Sequence, residues 1–180
     1  MTTQLSATGR FGVPGTILLS GIPATGKSTF GNWLSERHGF LHTDVEHGGL
    51  RPLGVQETWE TALSTRDPGP FVAALAILGR PVVIDWGYLP GFLPFVRSLH
   101  DVGLTAWWFD GDVAAARSRF VARGTGDVLA FDQQMARIEA ARPLITEFYA
   151  DRIVRTLDAA GQFESWEVVR DRVMAGTSTR

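Results

Sequence analysis

The chain has 180 residues, 44% of them hydrophobic and 20% charged, with 17 basic against 19 acidic side chains and no cysteine. These are the proportions of one globular domain large enough to bury an α/β core, and the missing cysteine excludes disulfides, thiolate metal sites and a cysteine nucleophile. The formal charge of −2 gives no general attraction to nucleic acid or to an anionic membrane, no apolar stretch approaches the about 20 residues of a membrane span, and the polar first ten residues lack a signal-peptide core.

A cytoplasmic protein with no nucleic-acid or membrane partner, monomeric or homodimeric, is therefore expected. Residues 1 to 12, rich in Thr, Ser and Gly, are expected to form a flexible arm, with one domain over 13–175 and a flexible tail over 176–180.

The first element is a strand over Ile17-Leu18-Leu19, followed at once by Gly21-x-x-x-x-Gly26-Lys27-Ser28 and an amphipathic segment with Phe30, Trp33 and Leu34. Strand, glycine-rich loop and helix start in that order are the signature of a phosphate-binding P-loop. The glycines let successive backbone N–H groups turn toward one anion, at a helix end whose dipole favours negative charge. Gly21, Ala24, Thr25, Gly26, Lys27, Ser28 and Thr29 are thus expected to cradle the phosphates of ATP, with Lys27 reaching the β- and γ-phosphates and Ser28 holding Mg²⁺. Of the 17 basic residues, 16 are arginine and Lys27 is the only lysine. A compact ammonium suits a phosphate cradle in a way that a planar guanidinium does not.

Gly39 reads as a helix cap, Phe40 to Asp44 as a second strand, and Glu46 to Leu53 as a loop. A helix over Gln56 to Leu63 is followed by a turn cluster, Thr65 to Pro70, and a buried helix from Phe71 to Leu78. Val82-Val83-Ile84-Asp85 is an apolar run ending in an acid, the pattern of a central parallel strand covered on both faces. A loop from Trp86 to Phe92 leads to a helix over Pro94 to His100, then a strand from Leu104 to Asp110.

Asp112 is placed to cap a helix with Val113, Ala116, Phe120 and Val121 on its apolar face and with Arg117, Arg119 and Arg123 on it. Gly124-Thr125-Gly126 breaks it, and a lid is expected over about 117–131. A further helix is expected from an Asp132 cap to about Ala141, then a turn from Pro143 to Tyr149, a strand over Arg152 to Leu157, and a closing helix from a Ser165 cap to about Val173. Five strands alternating with helices predict a parallel sheet with helices on both faces and ligands at the carboxyl ends of the strands.

Lys27, Asp44 and Asp85 all fall at such ends. Asp85 is placed to hold Mg²⁺ with Ser28. Asp44 is placed either to take the proton of an attacking hydroxyl or to cap a turn. Arg119 and Arg123, four apart on one helix face, are expected on the nucleotide and on the transferred phosphoryl group, whose charge a lid arginine neutralises. Trp86, Tyr88 and Phe92 either wall an apolar or ring-bearing acceptor or pack the loop on the sheet, and Arg142 either contacts substrate or forms a structural ion pair. Trp33, Trp59, Trp107, Trp108 and Trp166 read as packing residues.

With these residues in place the sequence resembles the small-molecule kinases of the P-loop class, especially shikimate kinase and gluconate kinase. The second strand of those enzymes ends in Asp-x-Asp, whose second acid grips the substrate hydroxyl, and His42-Thr43-Asp44 is similar with histidine first. Arg119-Phe120-Val121-Ala122-Arg123 resembles the Arg-x-x-x-Arg of the gluconate kinase lid, and Arg142-Pro143-Leu144 through Tyr149 resembles a segment of shikimate kinase. Asp85-Trp86-Gly87-Tyr88 departs from the glycine triplet of shikimate kinase, which argues against shikimate, and is similar to chloramphenicol phosphotransferase in its aspartate. The resemblance implies the three-layer P-loop NTPase fold with a five-stranded parallel sheet, of the nucleoside-monophosphate-kinase type.

The expected activity is transfer of the γ-phosphoryl group of ATP to a hydroxyl of a small molecule, with Lys27, Asp44 and Arg123 catalytic and Asp44, Trp86, Tyr88 and Arg142 on the acceptor. Two alternatives stay open. A nucleoside monophosphate kinase would use Arg51, Arg66 and Arg142 on an acceptor phosphate, and a nucleotide-dependent switch ATPase would have no acceptor.

Overall fold

A computed structural model of the chain describes residues 15–124 and 127–177. The arm over residues 1–12, Thr125 and Gly126 of the expected lid, and the last three residues of the expected tail lie outside the described residues.

Strand β1 (Ile17–Gly21) is followed by α1 (Lys27–His38), β2 (Leu41–Asp44), α2 (Gln56–Thr65), α3 (Gly69–Ile77) and β3 (Val82–Asp85). The second half comprises α4 (Leu93–Asp101), β4 (Thr105–Gly111), α5 (Val113–Arg123), α6 (Val128–Ala140), α7 (Arg142–Tyr149), β5 (Ile153–Leu157) and α8 (Trp166–Thr177). The strands form one sheet in the order β2-β3-β1-β4-β5, every neighbouring pair parallel.

Side chains alternate between the two faces of each strand, and the sheet is apolar on both. Leu18, Val82, Ile84, Ala106 and Trp108 enter one core with residues of α2 to α7. Ile17, Leu19, Val83, Trp107 and Phe109 enter a second core with Phe30 and Leu34 of α1 and Val169 and Val173 of α8. This double coverage is why the central strands read as unbroken apolar runs. Trp59, Trp107 and Trp108 are buried, while Trp33 and Trp166 pack against the second core, in keeping with the packing role read from sequence.

Helix ends follow local chemistry. Gly39 and Gly124 close α1 and α5 in the left-handed conformation, and the Asp112 carboxylate accepts from the Ala115 N–H at 2.9 Å. One expected cap is wrong. Asp127, not Asp132, starts α6, accepting from the Leu129 N–H at 2.9 Å. Asp132 lies inside that helix and takes Nε and Nη2 of Arg117 at 2.8 and 3.0 Å, joining α5 to α6. Two acids five residues apart offered the same cap signal, and only the earlier one precedes the apolar positions Phe131, Met135 and Ile138 that α6 buries.

The apolar face expected for α5 is narrower than the sequence suggests, because Ala116 is buried and Phe120 is packed on the core while Val113 and Val121 are exposed. Pro143 begins a full helical segment in α7 rather than a turn, and α8 runs four residues past Val173. Among the described residues no helix is long and apolar enough to cross a membrane.

Gly21 ends β1 at φ +135°, where an added Cβ would lie 2.0 Å from the Phe109 carbonyl oxygen of β4. At Gly39, φ is +73° and the space around an added Cβ is open. Gly39→Ala is therefore expected to cost about 1–2 kcal/mol of backbone strain. Gly21→Ala adds a main-chain collision and is expected to cost at least about 3 kcal/mol. Urea unfolding of both variants checks this, and equal losses would show that the contact with Phe109 contributes nothing.

Candidate active site

Parallel pairing brings the strand ends to one edge. Asp85 lies in register with Leu19 of β1 on one side and with Asp44 of β2 on the other. The Trp86 N–H donates to the Leu19 carbonyl at 2.9 Å and the Val45 N–H to the Asp85 carbonyl at 3.0 Å, so the turns leaving β2 and β3 are fixed to the sheet.

The loop between β1 and α1 is wound by left-handed residues at Ala24 (φ 63°) and Gly26 (φ 88°). A non-glycine residue in that region is strained, and such strain collects at functional loops. The Thr25 hydroxyl donates to the Ile22 carbonyl at 2.7 Å, and the Thr156 hydroxyl of β5 donates to the Thr25 carbonyl at 2.7 Å. Lys27 is buried, and its ammonium donates to the Ile22 carbonyl at 3.0 Å and reaches the Gly21 carbonyl at 3.5 Å. Burial pushes Lys27 below the usual lysine value, while Asp85, Glu46 and Asp44 pull it up and Arg123 pushes it further down. Arg123, at the end of α5, thus lies within electrostatic reach of Lys27.

The Ser28 hydroxyl donates to Oδ2 of Asp85. Asp85 is buried, which pushes its carboxyl above the usual range, and Lys27 and Ser28 oppose that shift. A hydroxyl and a carboxylate in contact beside a phosphate loop form an all-oxygen donor pair that fits Mg²⁺, which takes one or two protein oxygens and fills its shell with phosphate and water. Among the described residues no three acids or histidines converge as a metal cage.

Asp44 holds its own turn. Its Oδ1 accepts from the N–H groups of Glu46 at 2.9 Å and His47 at 3.2 Å, and its Oδ2 accepts from His47 Nδ1 at 2.8 Å. That bond pushes His47 above the usual histidine value. A carboxylate offers about four acceptor positions, so three are used and one remains. The capping role and the base role, set against each other in the sequence, are compatible in the structure. His42 turns to α1: its Nδ1 donates to Asn32 Oδ1 at 2.7 Å and its ring lies against Gly31.

Glu46 gave no signal in the sequence beyond following Asp44 by two positions. Its carboxylate lies against Gly87, where an added Cβ would sit 3.1 Å from Oε2 and 3.3 Å from Oε1. Glu46 is exposed as a residue, but the packing of its carboxyl end against Gly87 desolvates that group and pushes its carboxyl up, Lys27 opposes this, and Asp44 and Asp85 add to it.

Trp86 and Tyr88 are buried in the first core rather than lining an open wall. Trp86 meets Trp59 edge-on at 4.9 Å between centroids, and the Tyr88 and Tyr149 hydroxyls share a hydrogen bond of 2.7 Å. Burial raises both phenols, Tyr149 to about 12. Packing accounts for these side chains, as the second of the two sequence readings had it. Arg142 likewise takes its structural option, with Nη1 on Asp110 at 2.9 Å and Nη2 on Glu139 at 2.6 Å.

Arg119 donates from Nε at 3.0 Å, and from Nη2, to the Gly161 carbonyl, and its guanidinium stands 4.3 Å from the centre of the Phe163 ring. Phe163 and Trp166 in turn cover Gly26, whose added Cβ would lie 3.0 Å and 2.7 Å from them. Phe163 escaped the sequence reading, because only the reversal at 158–162, closed by the Leu157–Phe163 bridge, carries it back over the loop.

No protein-family model matches the chain, and no curated protein matches it in sequence. Solved structures do match in fold. A gluconokinase from Sinorhizobium meliloti 1021 aligns over 93% of each chain at 20% identity with a TM-score of 0.51. A shikimate kinase from Aquifex aeolicus covers 91% of this chain and 98% of its own at 20% identity, TM-score 0.54. A shikimate kinase from Bacteroides thetaiotaomicron covers 91% and 96% at 16% identity, TM-score 0.53. The five-stranded parallel order 2-3-1-4-5 with a glycine-rich loop after the central strand is thus the fold of the P-loop small-molecule kinases.

Proposed function

We propose that the chain is an ATP- and Mg²⁺-dependent kinase that phosphorylates a hydroxyl of a small molecule. The observation that carries this reading is the buried Lys27 ammonium in a strained glycine-rich loop, with the Ser28–Asp85 pair at its side and Asp44 on the next strand end.

In the reaction the loop N–H groups and Lys27 hold the phosphates of ATP. Ser28 and Asp85 would hold Mg²⁺, which supplies positive charge for the β- and γ-phosphate oxygens. The acceptor oxygen bonds to the γ-phosphorus and the bond from that phosphorus to the β–γ bridging oxygen breaks, so that ADP leaves with the electron pair. The hydroxyl proton passes to the remaining acceptor position of Asp44. Arg123 neutralises charge spread over the transferred group, and Arg119 with Phe163 forms the side of the cleft on which the nucleotide base would stack.

The nucleoside monophosphate kinase alternative has less support, because Arg142 is spent on Asp110 and Glu139 and Arg66 stands over the Phe92 and Phe95 rings at 5.5 and 6.0 Å. The test of the activity is incubation of the protein with ATP, Mg²⁺ and a library of hydroxyl compounds, read by mass shift.

Three outcomes are expected. Lys27→Ala keeps its circular dichroism and loses transfer by about a hundredfold or more, so wild-type turnover would exclude the loop as the phosphate site. Asp44→Asn keeps ATP affinity by titration and loses product formation, whereas retained transfer would exclude Asp44 as the base. Amide exchange in the described parts of 117–131 slows when ATP and acceptor are both present, and unchanged exchange would remove the lid from the mechanism.

A further inference from the structure

A pocket of about 350 Å³ opens between the start of β5 and the last turns of α8, with Trp107 of β4 in its wall. It has no part in the proposed phosphoryl transfer. Helix α8 begins with Trp166 against Gly26 of the phosphate loop, and Gly176, which lines the pocket, comes ten residues later. At the helical rise this sets the two about 15 Å apart along the axis.

Trp107 is only 3% exposed, and its Nε1 is a buried donor with no hydrogen-bond partner. A buried indole N–H usually finds an acceptor, and leaving it without one is costly. The ring turns its Nε1 side toward the pocket lining. At Gly176 an added Cβ would lie 2.7 Å from Cζ2, 3.0 Å from Cη2 and 3.8 Å from Cε2, the carbon that bears Nε1.

Two opposite charges line the same pocket. Asp151 and Arg172 are both exposed there, and neither pairs with the other or with another described residue. Arg170 and Asp171 of the same helix take each other, so Arg172 is left to the pocket. The remaining lining, Ile153, Val154 and Ala175, is apolar. Ligand pockets run from about 300 to 1,000 Å³, and this one, at the small end, suits a molecule of amino-acid size. A ligand that engages every polar group here needs an anion for Arg172 and the indole N–H, a cation for Asp151, and an apolar body.

We propose that the pocket binds a free α-amino acid with an apolar side chain. Its carboxylate accepts from Arg172 and from Trp107 Nε1, its ammonium donates to Asp151, and its side chain packs on Ile153 and Val154. The site is separate from the nucleotide loop and does not depend on the kinase reading.

The test is nuclear magnetic resonance of the nitrogen-15-labelled full chain. Its six tryptophans give six indole N–H signals, and Trp107→Phe identifies the one in the pocket. Titration with the natural amino acids is expected to move that signal downfield with leucine and other apolar members and to leave it in place with glycine and the acidic ones. Replacing leucine by 4-methylpentanoate, which lacks the ammonium, or by 3-methylbutylamine, which lacks the carboxylate, is expected to weaken binding about tenfold or more, the usual effect of losing a hydrogen bond to a charged group. Arg172→Gln and Asp151→Asn change exposed residues and are each expected to cause the same loss, while Mg²⁺ and ATP leave the amino acid bound.

Four results would each overturn the inference: no amino acid moves the Trp107 signal, the acid or the amine alone binds as well as leucine, both variants bind leucine as the parent does, or ATP displaces it.

Discussion

A buried ammonium is costly unless charges and hydrogen bonds surround it, and Lys27 is a buried ammonium placed at the centre of the sheet's carboxyl edge. The surrounding structure meets that cost. Two carbonyls of the loop accept from it, and Asp85, Glu46 and Asp44 supply opposite charge from three directions. The carbonyls face inward because Gly21, Ala24 and Gly26 adopt conformations that most residues avoid. The loop keeps that shape because Thr25 closes it and Thr156 ties it to the last strand. Binding a polyphosphate needs little reorganisation in such a loop, since the strain and the desolvation are already met by folding.

The features legible in the sequence are those set by nearest neighbours along the chain. An apolar run flanked by glycines is a strand wherever it sits, and double coverage of the sheet is visible in Ile17 to Leu19 and Val82 to Ile84 as runs with no polar face. Asp44 and Asp85 could be placed at one edge because parallel strands put their carboxyl ends together, and their register pairing agrees. Side-chain destinations were a different matter. Trp86 and Tyr88 follow an active-site strand, yet Trp59, Phe95 and Tyr149 from three other helices draw them into the core. Arg142 reads as available until Asp110 and Glu139 are seen beside it. Glu46 and Phe163 carried no signal because their neighbours, Gly87 and Gly26, are 41 and 137 positions away in the chain.

The surroundings of the β1–α1 loop differ in kind on its two sides. At the β5 side the walls are aromatic and cationic, with Phe163, Trp166 and Arg119 over the start of α1. At the β2 side they are acidic, with Asp44, Glu46 and Asp85 on adjacent turns. The aromatic cluster of Trp59, Trp86, Phe92 and Phe95 then acts below the acidic end as a rigid floor. Close-packed rings with few rotamers hold the turn after β3 in place.

Conformational change in the proposed kinase needs a ligand that favours one state over another by contacts of its own. Arg123 and Lys27 provide the means. Arg123 is a like charge that pushes Lys27 down, so in the proposed mechanism like charge would oppose the approach of α5's end to the loop until a nucleotide is present. A polyphosphate contacted by both turns that repulsion into two attractions, and closure becomes favourable only with nucleotide present. The Arg117–Asp132 pair joins α5 to α6, and Arg119 anchors α5 to the Gly161 turn, so a pull at the end of α5 is passed to both neighbours.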